Sequence, residues 1–345
     1  MEEILRQFPL AGRPVRIDPI TVGHINRSFL VACEGGRRYV LQRINPQVFA
    51  DAAAIMENLR LIRDWLKQSP EPPPIIAFID TLEGEACYED AEGAAWRLCP
   101  YAEHTLSLLR PASEADFAES ARAFGRFQYA LRDFPAGHLT ETIPRFHDTP
   151  DRFRQLREAA EADPCGRKSE VGALLAFAFE REAAAGALQY SREQKKLPLR
   201  VTHNDTKMSN VLLDADTRRA RFVIDLDTVM PGLAAYDFGD AIRAGASTGA
   251  EDGTGIRLHL GYYEAFTRAF LESCPHLTTA ERASLPLGAW TMTLECGVRF
   301  LTDYLRGDVY FATAYPGQNL ARARAQFSLA ADMERRRDAM RQIIE

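Results

Sequence analysis

Two short apolar runs, Val211–Leu213 and Phe222–Ile224, interrupt a chain that is otherwise helical in pattern beyond residue 102, and a polar loop leads into them. Leu199 and Val201 open a β-type run, and the residues from His203 to Asn210 are mostly polar. Asp214–Thr217 separates the two apolar runs as a turn. Short apolar runs bounded by turn residues read as strands, so the segment is expected to be a loop followed by a hairpin. A hairpin lays its first and last residues side by side. His203, Asp205, Asn210 and Asp225 are therefore expected to gather at its open end. A wholly helical fold has no place for this arrangement; an α+β chain does.

Asp and Asn also cap turns, and that bland reading suits Asp214 and Asp216. The joint spacing of the other four points to chemistry. Asp205 can accept a proton from an attacking hydroxyl. Asn210 and Asp225 offer hard oxygen ligands for Mg²⁺, which keeps waters and phosphate oxygens as further ligands. Phosphoryl transfer asks little else of side chains, because its catalysis is positioning plus charge neutralisation.

With 345 residues the chain has room for two domains or two unequal lobes. Its formal charge of −6 argues against a nucleic-acid or anionic-membrane partner. No apolar run approaches the ~20 residues that span a bilayer, and the N-terminus lacks a secretory h-region. Six dispersed cysteines without a Cys-x-x-Cys pair fit a reduced, cytoplasmic setting.

The first hundred residues are strand-rich: Arg27–Cys33 and Arg37–Ile44 flank the turn Glu34-Gly35-Gly36, and Ile75–Asp80 and Ala94–Leu98 follow. Between them Asp51–Lys67 takes helical spacing, with Ile55, Leu59, Ile62 and Leu66 on one stripe, before the stiff connector Pro70–Pro74. Beyond Pro100 helices dominate. Ser113–Phe134 is the clearest, N-capped by Ser113, and 151–162, 170–194, 255–272, 279–305 and 320–344 follow. The expected organisation is a small β-rich lobe over 1–98, a hinge at 99–102 and a larger helical lobe over 103–345.

His203-x-Asp205-x-x-x-x-Asn210 with Asp225 resembles the catalytic and metal loops of the protein-kinase-like superfamily, in its aminoglycoside phosphotransferase and choline kinase branch. The strings 224–233, 236–240 and 295–305 look most like those of N-acetylhexosamine 1-kinases. The resemblance implies a protein-kinase-like bilobal α+β fold, ATP and Mg²⁺ as cofactors, and phosphorylation of the anomeric hydroxyl of GlcNAc or GalNAc. Choline, homoserine or an aminoglycoside as acceptor is the alternative, and an inactive nucleotide-binding regulator a remoter one. It implies Asp205 as base, Asn210 and Asp225 on the metal, and Asp237 as support for the catalytic loop. Val40-Leu41-Gln42-Arg43 takes the place of the kinases' Val-Ala-Ile-Lys. Alternation puts Leu41 and Arg43 on one face, to meet adenine and phosphates, with Glu57 as the partner of Arg43. Cys99 and Tyr101 fall in the adenine-reading hinge. Arg299, Tyr310 and His24 approach the sugar, against a bland reading of Glu295, Arg299, Asp303 and Arg306 as an exposed ion-pair ladder. Asp227 takes the sugar, a second metal or a structural hydrogen bond. Asp240 and Arg243 are expected to form a helix-start ion pair. The segment 23–28 carries one glycine rather than a Gly-x-Gly-x-x-Gly, and no P-loop exists.

Overall fold

A computed structural model of the chain describes residues 1–21, 26–69 and 72–345. His24, with its neighbours Gly23 and Ile25, lies outside the described residues, as does the start of the proline connector at Pro70 and Glu71.

The small lobe begins with the short helix α1 (Glu2–Leu5) and the strands β1 (Pro14–Ile20), β2 (Arg27–Cys33) and β3 (Arg38–Arg43). The β2–β3 turn works as its glycines predict, with Gly35 and Gly36 at φ 78° and 80°. Helix α2 (Ala52–Leu66) starts at Asp51, whose carboxylate accepts from Ala54 N–H. Strands β4 (Tyr88–Glu89) and β5 (Ala95–Pro100) complete an antiparallel sheet in the order β1-β2-β3-β5-β4.

Phe29, Leu41 and Leu98 share one register line of that sheet, and Ser28, Gln42 and Arg97 the next. The two lines face opposite ways. Leu41 and Leu98, both fully buried, pack with Ile4, Leu5 and Phe8 in a separate small core closed by α1. The buried stripe of α2 joins the large lobe's core instead. The predicted strand at 75–80 is reduced to single bridges, Ile75 with Val223 and Ile79 with Leu98. Pro72–Pro74 removes three amide donors just before it, and the segment straddles both lobes rather than lying along one sheet.

Beyond β5 the chain makes β6 (Thr105–Ser107) and α3 (Glu114–Ala130), where Ser113 Oγ accepts from Asp116 N–H as expected. α4 (Thr149–Ala162) follows. The helix predicted over 170–194 is three pieces, α5 (Gly172–Phe179), α6 (Glu182–Ala185) and α7 (Ala187–Glu193). Next come β7 (Arg200–Thr202), the hairpin β8 (Val211–Asp214) and β9 (Ala220–Val223), and β10 (Met230–Gly232), which pairs with β7. The hairpin is where the apolar runs placed it, and β6 adds a third strand. The remainder is α8 (Ala234–Gly245), α9 (Leu260–Ser273), α10 (Thr279–Arg306), α11 (Gln318–Arg335) and α12 (Arg337–Ile344).

Helix α10 has a capping box at Thr278 and Glu281 and ends on Gly307 at φ 98°. It crosses α8 at glycines on both helices. A Cβ on Gly239 would stand 2.3 Å from Gly288 O, and one on Gly288 2.3 Å from Ala235 O. The two backbones thus touch directly, holding α8 against its neighbour.

Candidate active site

The loop between β7 and β8 is polar yet tightly buried, so its amides and carbonyls need internal partners. Asp237, on the first turn of α8, supplies several. Its carboxylate accepts from His203 N–H at 2.9 Å, Asn204 N–H at 2.7 Å and the Gln128 amide at 2.7 Å. Its carbonyl accepts from Thr206 Oγ. Burial pushes the Asp237 carboxyl up, against the pull of His203 and these hydrogen bonds. His203 is fully buried; its Nε2 meets Ile224 O at 2.9 Å and its ring stands edge-on to Phe124. It orients the loop. Thr228 Oγ donates to His203 O, and the Asn204 amide donates to Thr228 O. The two functional loops are clamped to each other as well as to α8. Asp237→Ala is expected to cost about 3 kcal/mol, because a buried donor left unpaired costs ~1–3 kcal/mol. The check is a chemical-denaturation curve, in which an unchanged midpoint would count against the clamp.

At the mouth of the loop Asp205 Oδ2 accepts from Lys207 Nζ at 2.6 Å and from Asn210 Nδ2 at 3.0 Å. Burial pushes the Asp205 carboxyl up, but the Lys207 charge and hydrogen bond, with His203 and Asn210, outweigh it and hold the group below the ordinary carboxylate range. For Lys207, burial works against the charge, while Asp205 and Asp225 outweigh it and keep the ammonium protonated.

Asp225 follows β9 in a left-handed conformation, φ 61° and ψ 53°, which a non-glycine residue holds only where its surroundings impose it. Enclosure by the cleft walls and the Asp227 and Asp205 carboxylates push its carboxyl up to about 6. This crowding suits a divalent cation. The Asn210 amide directs its NH₂ at Asp205 and so turns its carbonyl oxygen elsewhere. Asn210 and Asp225 thus fit Mg²⁺. No three His, Cys, Asp or Glu side chains converge as a cage among the described residues, so an ion here would share phosphate and water ligands.

The small-lobe expectations need correction. Leu41 and Arg43 do share a face, but it is the face turned away from the cleft. Leu41 is sealed in the small core, and Arg43 lies across from Trp96 with Glu92 at 3.9 Å. Glu57 binds Arg60 one helical turn on, at 2.7 Å, and not Arg43. A cation that does lie on the cleft side of the sheet is Arg97, on β5. It meets Asp227 at 2.7 Å, with side chains 1% and 2% exposed. Asp227 also accepts from Asn26 Nδ2 at 2.7 Å. Asp227 thus makes a structural contact, one of its three expected roles. At the hinge, Cys99 is buried, the Tyr101 amide donates to Arg38 O, and the Arg38 guanidinium covers the Tyr101 ring. Tyr101 packs at the lobe junction.

On α10 the exposed ladder does not exist. Glu295 and Asp303 are buried. Glu295 accepts from Thr149 Oγ and meets His147 Nδ1 at 2.9 Å, while His147 Nε2 reaches Asn204 O. Asp303 accepts from the backbone amides of Val309, Tyr310 and Phe311. This turn carries Tyr310 to Arg299, whose guanidinium sits 5.1 Å from the Phe146 ring, 5.9 Å from Tyr310 and 5.4 Å from Phe311. Arg299 and Tyr310 are thus brought together beside Phe146, the residue before His147 with its link to Asn204 O. Arg152, next to Arg299, donates to Phe146 O. Asp240 and Arg243 do pair, at 2.7 Å, but within α8 rather than at its start. Sequence reasoning missed Lys207, Arg97, His147 and Arg152. Lys207 alone carried a local signal, its place inside the polar loop.

Residues 16–274 match the model of the phosphotransferase enzyme family. Among solved structures, an aminoglycoside phosphotransferase from Alicyclobacillus acidocaldarius is similar at TM-score 0.67 and 15% identity, covering 100% of this chain and 96% of that one. A microcompartment-associated aminopropanol kinase is similar at 0.67 and 17%, covering 100% and 98%. A choline kinase from Cryptosporidium parvum gives 0.61 and 14%, covering 95% and 91%. These likenesses show a kinase-like fold.

Proposed function

The chain belongs to the phosphotransferase enzyme family, and on that premise we propose that it transfers the γ-phosphoryl group of ATP, with Mg²⁺, to the anomeric hydroxyl of an N-acetylhexosamine. The observation that carries the chemistry is the set Asp205, Lys207, Asn210 and Asp225 at the open end of the β8–β9 hairpin. Asp205 stays ionised and aligns the acceptor hydroxyl with its carboxylate, taking the proton as the bond to phosphorus forms. A weakly basic carboxylate suffices, because in a loose transition state the proton leaves late. Lys207 sits beside Asp205 with donors to spare for the charge that moves with the phosphoryl group. Asn210 and Asp225 would hold Mg²⁺, which neutralises charge across the phosphates when bound. The hinge backbone around Pro100–Ala102 is the proposed adenine contact.

The acceptor is inferred from the likeness of 224–240 and 295–305 to N-acetylhexosamine 1-kinases, and from the chemistry around Arg299. Phe146, Tyr310 and Phe311 offer flat apolar surface for a sugar ring, and Arg299 donors for its hydroxyls or acetamido carbonyl. A choline-type acceptor wants an aromatic cage free to receive a cation. Here Arg299 already occupies the aromatic cluster and Arg152 lies behind it, a disposition that repels a quaternary ammonium or a polycationic aminoglycoside.

The test is ADP release with GlcNAc, GalNAc, choline, homoserine and kanamycin, alongside loss of the reducing end, which only a 1-phosphate abolishes. Turnover with choline alone would overturn the sugar assignment. Lys207→Met is expected to lower kcat by roughly 10²-fold. It should also move the acid limb of the kcat–pH profile upward, because removing the ammonium lets the Asp205 carboxyl rise toward its ordinary range. A profile that stays in place would separate Lys207 from Asp205.

A further inference from the structure

We infer that the buried Arg97–Asp227 ion pair is the joint through which the small lobe holds the metal-facing loop in place, making Arg97 a positioning residue for phosphoryl transfer. The inference rests on the phosphotransfer reading above. Arg97 comes from β5 in the small lobe and Asp227 from the turn after β9 in the large one. The guanidinium donates from Nη2 to Oδ2 at 2.8 Å, and Nη1 lies 2.7 Å from Oδ1 as an ion-pair contact outside hydrogen-bond geometry. Its Nε donates to Gln42 Oε1 at 3.1 Å, and Gln42 Nε2 in turn donates to Ser28 Oγ at 3.1 Å. Strands β2 and β3 thus brace the arginine that β5 projects. Asn26 adds a second strut, donating to Asp227 Oδ2 and accepting from Asn45 N–H. From the large lobe, Thr142 Oγ holds the Asp227 carbonyl at 2.8 Å. The Phe78 ring lies 4.2 Å from the guanidinium, and Met56 Sδ 4.0 Å from Nη1.

A buried ion pair contributes little net stability, since desolvation offsets most of the attraction; what it supplies is a demand for one geometry. With Nε held by Gln42 and Nη2 bonded to Oδ2, the planar guanidinium is fixed in orientation and accepts one placement of its partner. That placement is two residues from Asp225, in the strained left-handed position described above. The tie expected from sequence, Arg43 with Glu57, does not form. Arg97 instead reaches across the cleft and acts directly on the loop that would carry the metal.

Arg97→Lys keeps the charge and loses the planar guanidinium that bonds Gln42 and Asp227 together, and serves as the primary test in the full-length protein. Calorimetric titration of Mg²⁺ with a non-hydrolysable ATP analogue should show the half-saturating Mg²⁺ concentration raised at least tenfold. The kcat for ADP release should fall at least tenfold, with the thermal midpoint of the ligand-free protein within a few degrees of the parent. Arg97→Met leaves a buried charge unpaired and is expected to destabilise. The double variant Arg97→Met with Asp227→Asn removes that charge and should recover the thermal midpoint without recovering the Mg²⁺ dependence. Recovery of both would make the pair merely structural and overturn the inference. A parent protein that binds no Mg²⁺–nucleotide sinks the phosphotransfer reading and this inference together. Binding in the parent that is unchanged in Arg97→Lys sinks this inference alone.

Discussion

Asp205→Asn is expected to lower kcat by ~10²–10⁴-fold, the range a positioned proton acceptor contributes, while the nucleotide dissociation constant stays within a few-fold of the parent. The substitution preserves shape. The Asn oxygen can still accept from Lys207 and Asn210, which both bond to Oδ2 of the native residue, so the loop keeps its form. What it loses is the negative charge that draws the hydroxyl into line and the site that receives its proton. ADP-release rates and equilibrium nucleotide titration measure the two halves separately. Turnover within tenfold of the parent would remove Asp205 from the reaction.

Asp225→Asn should affect activity and stability in opposite directions. Activity should fall by on the order of 10³-fold, as expected when a main charge-stabilising element is lost. The Asp225 carboxyl is pushed up to about 6 from 3.8 by its enclosure and by two neighbouring carboxylates. A carboxyl raised in the folded state stabilises fully below its unfolded value, and that contribution disappears as pH rises through about 6. At pH 7 the metal-free protein therefore carries an unfavourable charge at this position. Asp225→Asn should then melt higher than the metal-free parent at pH 7 and gain nothing from added Mg²⁺ and nucleotide. In the parent, Mg²⁺–nucleotide affinity should weaken as pH falls below about 6, where a proton competes with the ion. A variant that melts lower than the parent without ligand, or still responds to Mg²⁺, would contradict the role given to Asp225.

The parts of this site that can be read from sequence are those whose geometry is local. His203, Asp205 and Asn210 lie within one loop, and Asp225 is brought to it by a hairpin that turn residues and apolar runs announce. The small-lobe cation was misplaced for a different reason. Alternation tells which strand residues share a face, not which face looks inward, and a one-position change reverses every side chain. Here α1 decides: by covering Leu41 it puts Arg43 outside and leaves Gln42 and Arg97 toward the cleft. No spacing rule links Arg97 to Asp227 across the intervening chain. The polar residues of α10 looked like an exposed ladder because periodicity does not reveal how many sides of a helix are covered. This one is packed against α4, α8 and α11, so Glu295 and Asp303 became buried acceptors for His147 and for the 309–311 turn.

The contact of Gly239 with Gly288 has a bearing on substrate range. It pins α10 at one point to the helix that carries Asp237, and Arg299 lies eleven residues farther along, roughly 16 Å away at 1.5 Å per residue. One helix thus packs against the support of the polar loop at Gly288 and carries Arg299, the proposed acceptor contact, three turns on. On the proposed reading, side chains beyond Glu295 can be exchanged for different acceptors as long as Glu295 keeps its link through His147 to Asn204 O, so new specificity can be acquired without rebuilding the reaction centre.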